Sequence, residues 1–175
     1  KINTQIFPVK VGAAYKIIDV AGVLFVQKND ALFWINPASE NQKVLEAFYS
    51  PVHKLVVSPS GQRMVYYNDD EILYSAFNNG PTQKIFLYKA AVDIKDLYWI
   101  NDDYITFTAG NNIIIAETDA RGNVNAITLP QTVTVNTQKQ KAVDLINPKI
   151  IFNQQSQKLY ILTQRSLIVS EKLTP

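Results

Sequence analysis

A pair of apolar residues eight positions apart, with a polar turn between them, recurs four times along this chain. The pairs are Leu24 and Leu32, Met64 and Ile72, Ile105 and Ile113, and Leu159 and Leu167. Two residues further on in each strand stand Val26 and Trp34, Tyr66 and Tyr74, Phe107 and Ile115, and Ile161 and Val169. Apolar positions two apart mark one face of a β-strand, because successive side chains alternate between faces. The intervening segments KND (28–30), NDDE (68–71), GNN (110–112) and QRS (164–166) hold the Asn, Asp, Gly and Ser that tight hairpins use. Each pair therefore predicts a β-hairpin.

Further strand-like runs flank the hairpins. YKII (15–18), HKLVVS (53–58), DLYWI (96–100) and KIIF (149–152) precede them, and KVLEAF (43–48), KIFLY (84–88) and VNAITL (124–129) follow the first three. The unit is thus four short antiparallel strands. Met64 lies 40 residues after Leu24, Ile105 lies 41 after Met64, and Leu159 lies 54 after Ile105. A four-stranded unit of roughly 40 residues is the period of a β-propeller blade. A β-sandwich would not demand the same register from one unit to the next.

The fold class expected is all-β: a β-propeller of four repeated four-stranded antiparallel blades, whole or as part of a larger propeller. The blades run over roughly 12–48, 52–89, 93–130 and 145–175, within a single domain spanning 1–175. The polar QTVTVNTQKQKAVD (131–144) reads as an insertion before the fourth blade, with TQKQK (137–141) as a solvated loop. The fourth unit lacks an outer strand, and INTQIF (2–7) is expected either to complete that blade or to belong to a preceding one. Aromatics such as Phe25, Phe33, Tyr67 and Tyr98 alternate with the repeat positions, so both faces of a blade are apolar, as stacking between two neighbours requires.

Composition narrows the functions available. The 175 residues are 47% hydrophobic and 18% charged, enough for a sizeable core. A net charge of +2 without a concentrated basic stripe argues against nucleic acid as a partner. No run approaches the 18 apolar residues of a membrane span, and no signal-peptide pattern opens the chain, which begins at Lys1 and so reads as a fragment or a processed form. The absence of cysteine removes disulfides, thiolate nucleophiles and thiolate metal ligands.

The run VVSPSGQRMVYYNDDEILYS (56–75) resembles the repeat of TolB-like propellers, in which a Ser-Pro-Asp-Gly turn leads into an Ile-Ala-Tyr strand. Ser60 stands where that family prefers Asp. The third copy, DLYWINDDYITFTAGNNIIIAETDARGNVNAITL (96–129), is similar to the propeller region of bacterial envelope proteins that also carry PEGA domains, through Trp99-Ile100-Asn101 and the stretch from Glu117 to Gly122. The first and fourth copies match in spacing only, so the resemblance covers about half the chain. It implies a non-enzymatic protein-binding propeller in the bacterial cell envelope, outside the cytoplasm.

No motif carries a catalytic chemistry. His53 is the single histidine, and no Gly-x-Ser-x-Gly elbow accompanies it. It is expected at the surface, at the entry to a strand. NDDE (68–71) could offer oxygens to calcium but lacks the alternating carboxylates of a loop built for that ion, and it serves as a turn without one. Glu46, Glu71, Asp93, Glu117 and Asp119 could supply a glycosidase pair only if two of them faced one cleft. No cofactor and no metal is expected.

In a propeller the central hairpin turns and the connections to the next blade project from the same end. That end is the expected binding face: Asn29, Asp30, Tyr49, His53, Asn68, Asp69, Asp70, Asp93, Asn111, Asn112 and Arg165, joined by the 131–144 insertion. The function expected is a protein-interaction or scaffold module without enzymatic activity, its partner another protein or, to close the ring, another copy of itself. The alternatives are a gating propeller beside a separate catalytic domain, and a carbohydrate-binding propeller.

Overall fold

The structure, a computed structural model, describes residues 9–35, 45–77, 83–119, 121, 124–135 and 141–173. The regular elements among these residues are all strands. The first sheet is β1 (Tyr15–Val20), β2 (Val23–Lys28), β3 (Ala31–Ile35) and β4 (Leu45–Tyr49). The second is β5 (Lys54–Val57), β6 (Arg63–Tyr67), β7 (Glu71–Ala76) and β8 (Ile85–Lys89). The third is β9 (Ile94–Trp99), β10 (Tyr104–Ala109), β11 (Asn112–Glu117) and β12 (Ala126–Thr128). A separate hairpin, β13 (Thr132–Val135) with β14 (Lys141–Asp144), precedes the fourth sheet of β15 (Lys149–Asn153), β16 (Lys158–Leu162) and β17 (Leu167–Lys172). Strands follow one another in chain order within each sheet, all antiparallel, as in propeller blades.

The central hairpins share one register. Phe25 pairs with Trp34, Val65 with Tyr74, Thr106 with Ile115 and Tyr160 with Val169, which are equivalent positions of the four copies. The turns are correspondingly two residues wide: Asn29-Asp30, Asp69-Asp70, Gly110-Asn111 and Gln164-Arg165. The β1–β2 turn needs Ala21 at φ 51° and Gly22 at φ 79°, the doubly left-handed geometry that suits a two-residue hairpin.

The sheets stack face to face through three cores. Phe25, Leu32, Phe48, Met64 and Tyr66 fill the first, with Phe48 edge-on to both Phe25 and Tyr66 at 5.4 Å between ring centres. The second, between sheets two and three, holds Val65, Tyr74, Leu97, Trp99, Ile105 and Phe107. The third, between sheets three and four, holds Ile113, Leu145, Ile150, Phe152, Leu159 and Ile161. Each large side chain buried in this way contributes about 1.5–3 kcal/mol. The first strands lie toward the middle of the stack, with β9 against β5 on one side and β15 on the other.

The repeat pattern has four apolar copies of each face but only three interfaces to fill them. Met64, Ile105 and Leu159 are at most 1% exposed against the preceding sheet, whereas the equivalent Leu24 is 40% exposed. On the last sheet Leu167 and Val169, equivalent to buried Ile72 and Tyr74, are 65% and 45% exposed.

The insertion is structured where sequence reading expects a polar loop. Thr132–Val135 and Lys141–Asp144 pair as a hairpin, and Val133 packs on the third core. Of the stretch read as a solvated loop, Lys141 opens β14, while 137–140 and the expected closing strand at 2–7 lie outside the described residues.

Candidate functional site

At one end of the stack the hairpin turns are tied to the links between sheets. The amide of Val52 donates to the carbonyl of Asp30 at 2.6 Å, that of Ala90 to Asp70 at 2.7 Å, and that of Ile94 to Asp69 at 2.6 Å. The turns of sheets one and two therefore meet the links that contain His53 and Asp93. At the junction of sheets three and four the tie is made by side chains. Asn111 Oδ1 accepts from the Asn147 amide at 3.0 Å, and Gln131 Nε2 donates to Asn112 Oδ1 at 3.3 Å.

The second turn organises the densest polar group. His53 Nε2 and Asp69 Oδ1 are 2.5 Å apart. Lys89 Nζ lies 3.0 Å from Glu71 Oε1 and 3.4 Å from Asp70 Oδ2. The Tyr49 hydroxyl donates to Glu71 Oε2 at 3.3 Å. Hydrogen bonds from Lys89 and Asn68 hold the Glu71 carboxyl below its ordinary range, while burial followed by the Glu71 charge pushes the Tyr49 hydroxyl up. With Asp30 and Asp93 alongside, carboxylates outnumber cations on this surface. Among the described residues no three groups converge as a metal ion would need.

The candidate residues divide by what they do locally. Tyr49, His53, Asp69 and Asp70 come together around the second turn, and Asp93 precedes Ile94, whose amide is tied to that turn. Asn68 does not present itself to a partner: it is buried, and its Oδ1 accepts from the amides of Asp70 and Glu71 at 3.1 and 2.7 Å. Asn29 and Asp30 are exposed, although Asn29 Oδ1 accepts from the Ala14 amide at 3.2 Å. Asn111 and Asn112 hold the next link, as described above. Arg165 stands apart at the fourth turn, lining a cavity of about 350 Å³ with Asp144, Ile146 and Thr163. Sequence reading placed neither Glu71 nor Lys89 on this face; β7–β8 pairing puts them opposite each other.

At the other end sheets two and three are stapled together beside a cleft of about 730 Å³ lined by Arg63, Lys84, Asp103, Asp119 and Arg121. Arg63 Nη1 donates to the Asp102 carbonyl at 2.6 Å and to Asp103 Oδ1 at 3.0 Å, joining sheets two and three. The Ser60 amide donates to Asp102 Oδ1 at 3.1 Å, and Ser60 Oγ accepts from the Gln62 amide at 3.3 Å. With serine at this position the 58–61 turn is closed by the Gly61 amide, which donates to the Ser58 carbonyl at 2.9 Å.

No family model matches the chain, and no curated protein is similar to it. Solved structures match in fold. One is a candidate 6-phosphogluconolactonase from Bacteroides fragilis, 14% identical, with a TM-score of 0.50 over 85% of this chain and 47% of that one. Another, from Bacteroides uniformis, is 12% identical, with a TM-score of 0.52 over 90% of this chain and 50% of that one. Likeness at such identities establishes the fold alone. The chain is built of β-propeller blades and spans about half the length of the chains it matches.

Proposed function

We propose that this propeller segment is a protein-interaction module of a bacterial envelope protein, without catalysis of its own, and that it meets its partner through the turn-and-link end. The observation that carries the reading is the second turn. It raises Asp69 and Asp70 on a frame whose backbone is fixed to the link between sheets two and three, with His53 of the preceding link against the Asp69 carboxylate, so a partner meets preset charges with little ordering to do. The Asp69 and Asp70 carboxylates are paired with His53 and Lys89. The resemblance of residues 56–75 to TolB-like repeats supports the envelope setting.

The test is cross-linking of the purified chain in bacterial envelope extract, compared with the triple variant Asp69→Ala, Asp70→Ala, Arg165→Ala. Loss of specific cross-linked species in the variant is the expected result. An identical set of species from both proteins refutes the assignment of the binding end.

A further inference from the structure

The first strand of every blade carries a lysine at the same position. Lys16 pairs with Gln27, Lys54 with Tyr67, Lys95 with Thr108 and Lys149 with Leu162, and these partners are equivalent positions of the four copies. The residues opposite share no chemistry, so it is the lysine that recurs. Each lysine stands first or second in its strand, at the end where the turns meet the links. All four also take one face. Leu55 packs into the first core, Ile94 into the second and Ile150 into the third, each toward the preceding blade, so the adjacent Lys54, Lys95 and Lys149 face forward. Ile18 packs forward into the first core, and Lys16, two residues before it, shares that side. The seams after blades one, two and three thus hold one lysine each. Lys54 Nζ reaches across its seam to within 5.1 Å of the Tyr98 ring centre on β9.

We propose that these lysines form one site for a small ligand bearing two or more phosphoryl groups, held over the first strands at the turn-and-link end. All four are exposed, and among the described residues no carboxylate stands within ion-pairing distance of any of them. The first strands carry two carboxylates, and backbone amides occupy both. Gly22 donates to Asp19 Oδ1 at 2.9 Å, near the far end of β1, and Ile150 donates to Asp96 Oδ2 at 3.4 Å. Around these strands Asp69 is matched by His53, and Asp70 and Glu71 by Lys89 on β8. Asp30 and Asp93 have no ion pair among the described residues, and Lys28 adds a cation opposite Tyr15. The first strands therefore keep a net positive charge at this end, inward of carboxylates that are mostly paired. Lysine on an edge strand also discourages stray strand pairing, but that need selects neither one position nor one face. An ammonium group holds phosphate as a point charge, whereas a planar carboxylate is better matched by a guanidinium fork, and none of these four strands contains arginine. A phosphoryl group brings about 1.5–2 negative charges, and ammonium groups in separate seams are met together by a ligand that carries more than one such group.

The experiment is calorimetric titration of the purified chain with pyrophosphate, inorganic phosphate and citrate at matched ionic strength. Pyrophosphate is expected to bind saturably at a single site, more tightly than phosphate or citrate. Lys54→Ala and Lys95→Ala each remove one ammonium group from a seam within the chain. Each should weaken pyrophosphate about ten-fold, and the double variant further. Lys172→Ala removes the same charge from exposed β17 and should change the affinity by less than about two-fold. Circular dichroism checks that each variant folds; if one does not, Lys54→Gln and Lys95→Gln take their places. Three results would each overturn the proposal: no saturable binding of pyrophosphate up to about 10 mM, equal losses in Lys95→Ala and Lys172→Ala, or citrate bound as tightly as pyrophosphate.

Discussion

Replacing Trp99 by phenylalanine tests the idea that side chains, more than sheet pairing, join the blades. Trp99 is 2% exposed, and its indole N–H donates to the carbonyl of Val56 at 2.9 Å. Val56 lies on β5, and its carbonyl faces the β6 ladder opposite Val65, so the indole is a second donor to an oxygen that already has a ladder partner. Phenylalanine keeps most of the aromatic packing but removes the donor. The lost hydrogen bond costs about 0.5–1.5 kcal/mol. The missing ring atoms add a small cavity, giving about 1–2.5 kcal/mol altogether. At about 2–4 °C per kcal/mol for a chain of this size, Tm should fall by roughly 2–10 °C. The same substitution at half-buried Trp34, the chain's other tryptophan, should cost less. Thermal and urea unfolding, followed by circular dichroism, give both values. Equal losses at the two tryptophans, or a loss at Trp99 below about 1 kcal/mol, would refute the reasoning.

Two further predictions concern the turn end. The Glu71 carboxyl is held below its ordinary 4.5, so the folded state releases that proton more readily than the unfolded chain; the resulting stability is full above pH 4.5 and fades as pH falls through the lowered value. Glu71→Gln should therefore flatten the acid limb of stability against pH, and Lys89→Met should return the Glu71 titration toward 4.5 by NMR. A titration unmoved in Lys89→Met would refute the assigned cause. Gly110, at φ +59°, would place an added Cβ 3.2 Å from Val92 Cγ2, whereas Gly61, at φ +76°, has nothing within 4 Å. Alanine should cost about 1–2 kcal/mol for the left-handed backbone at either site, with the larger loss of Tm at Gly110.

The eight-residue pairs mark where the hairpins fall, but not which faces their members take: a two-residue turn pairs Phe25 with Trp34 and sends Leu24 and Leu32 to opposite faces of the sheet. Tyr160 with Val169 repeats that register in the fourth copy, which shares little else with the first. Sequence could not show that Leu24 and Leu167 would stand open: an apolar position looks the same whether its neighbour is present or not. The hairpin at 132–144 did carry a strand signal, the alternating Thr-Val-Thr-Val of β13, but polar neighbours obscured it. Asn68 looked like a surface residue because Asn serves both turns and partners, and only its two amide contacts separate the roles. The Glu71–Lys89 pair depended on the β7–β8 register, which shifts between Ile72 and Leu73 and is invisible to spacing.

The way each junction is tied decides which turn residues are free to serve a partner. At the first two junctions the ties run between backbone groups, from Val52 to Asp30 and from Ala90 and Ile94 to Asp70 and Asp69. Any side chain can then occupy those turn positions without loosening the stack. The third junction spans the added hairpin, and the side chains of Asn111 and Asn112 tie the turn to Asn147 and Gln131. Those two asparagines are committed to structure by the insertion. Asp69 and Asp70 are not, although they hold the corresponding turn of their own blade. A loss of binding on changing Asn111 would therefore confound recognition with a displaced blade, whereas a loss on changing Asp69 or Asp70 leaves the frame in place. Recognition by this end of the propeller is to be sought at the second turn.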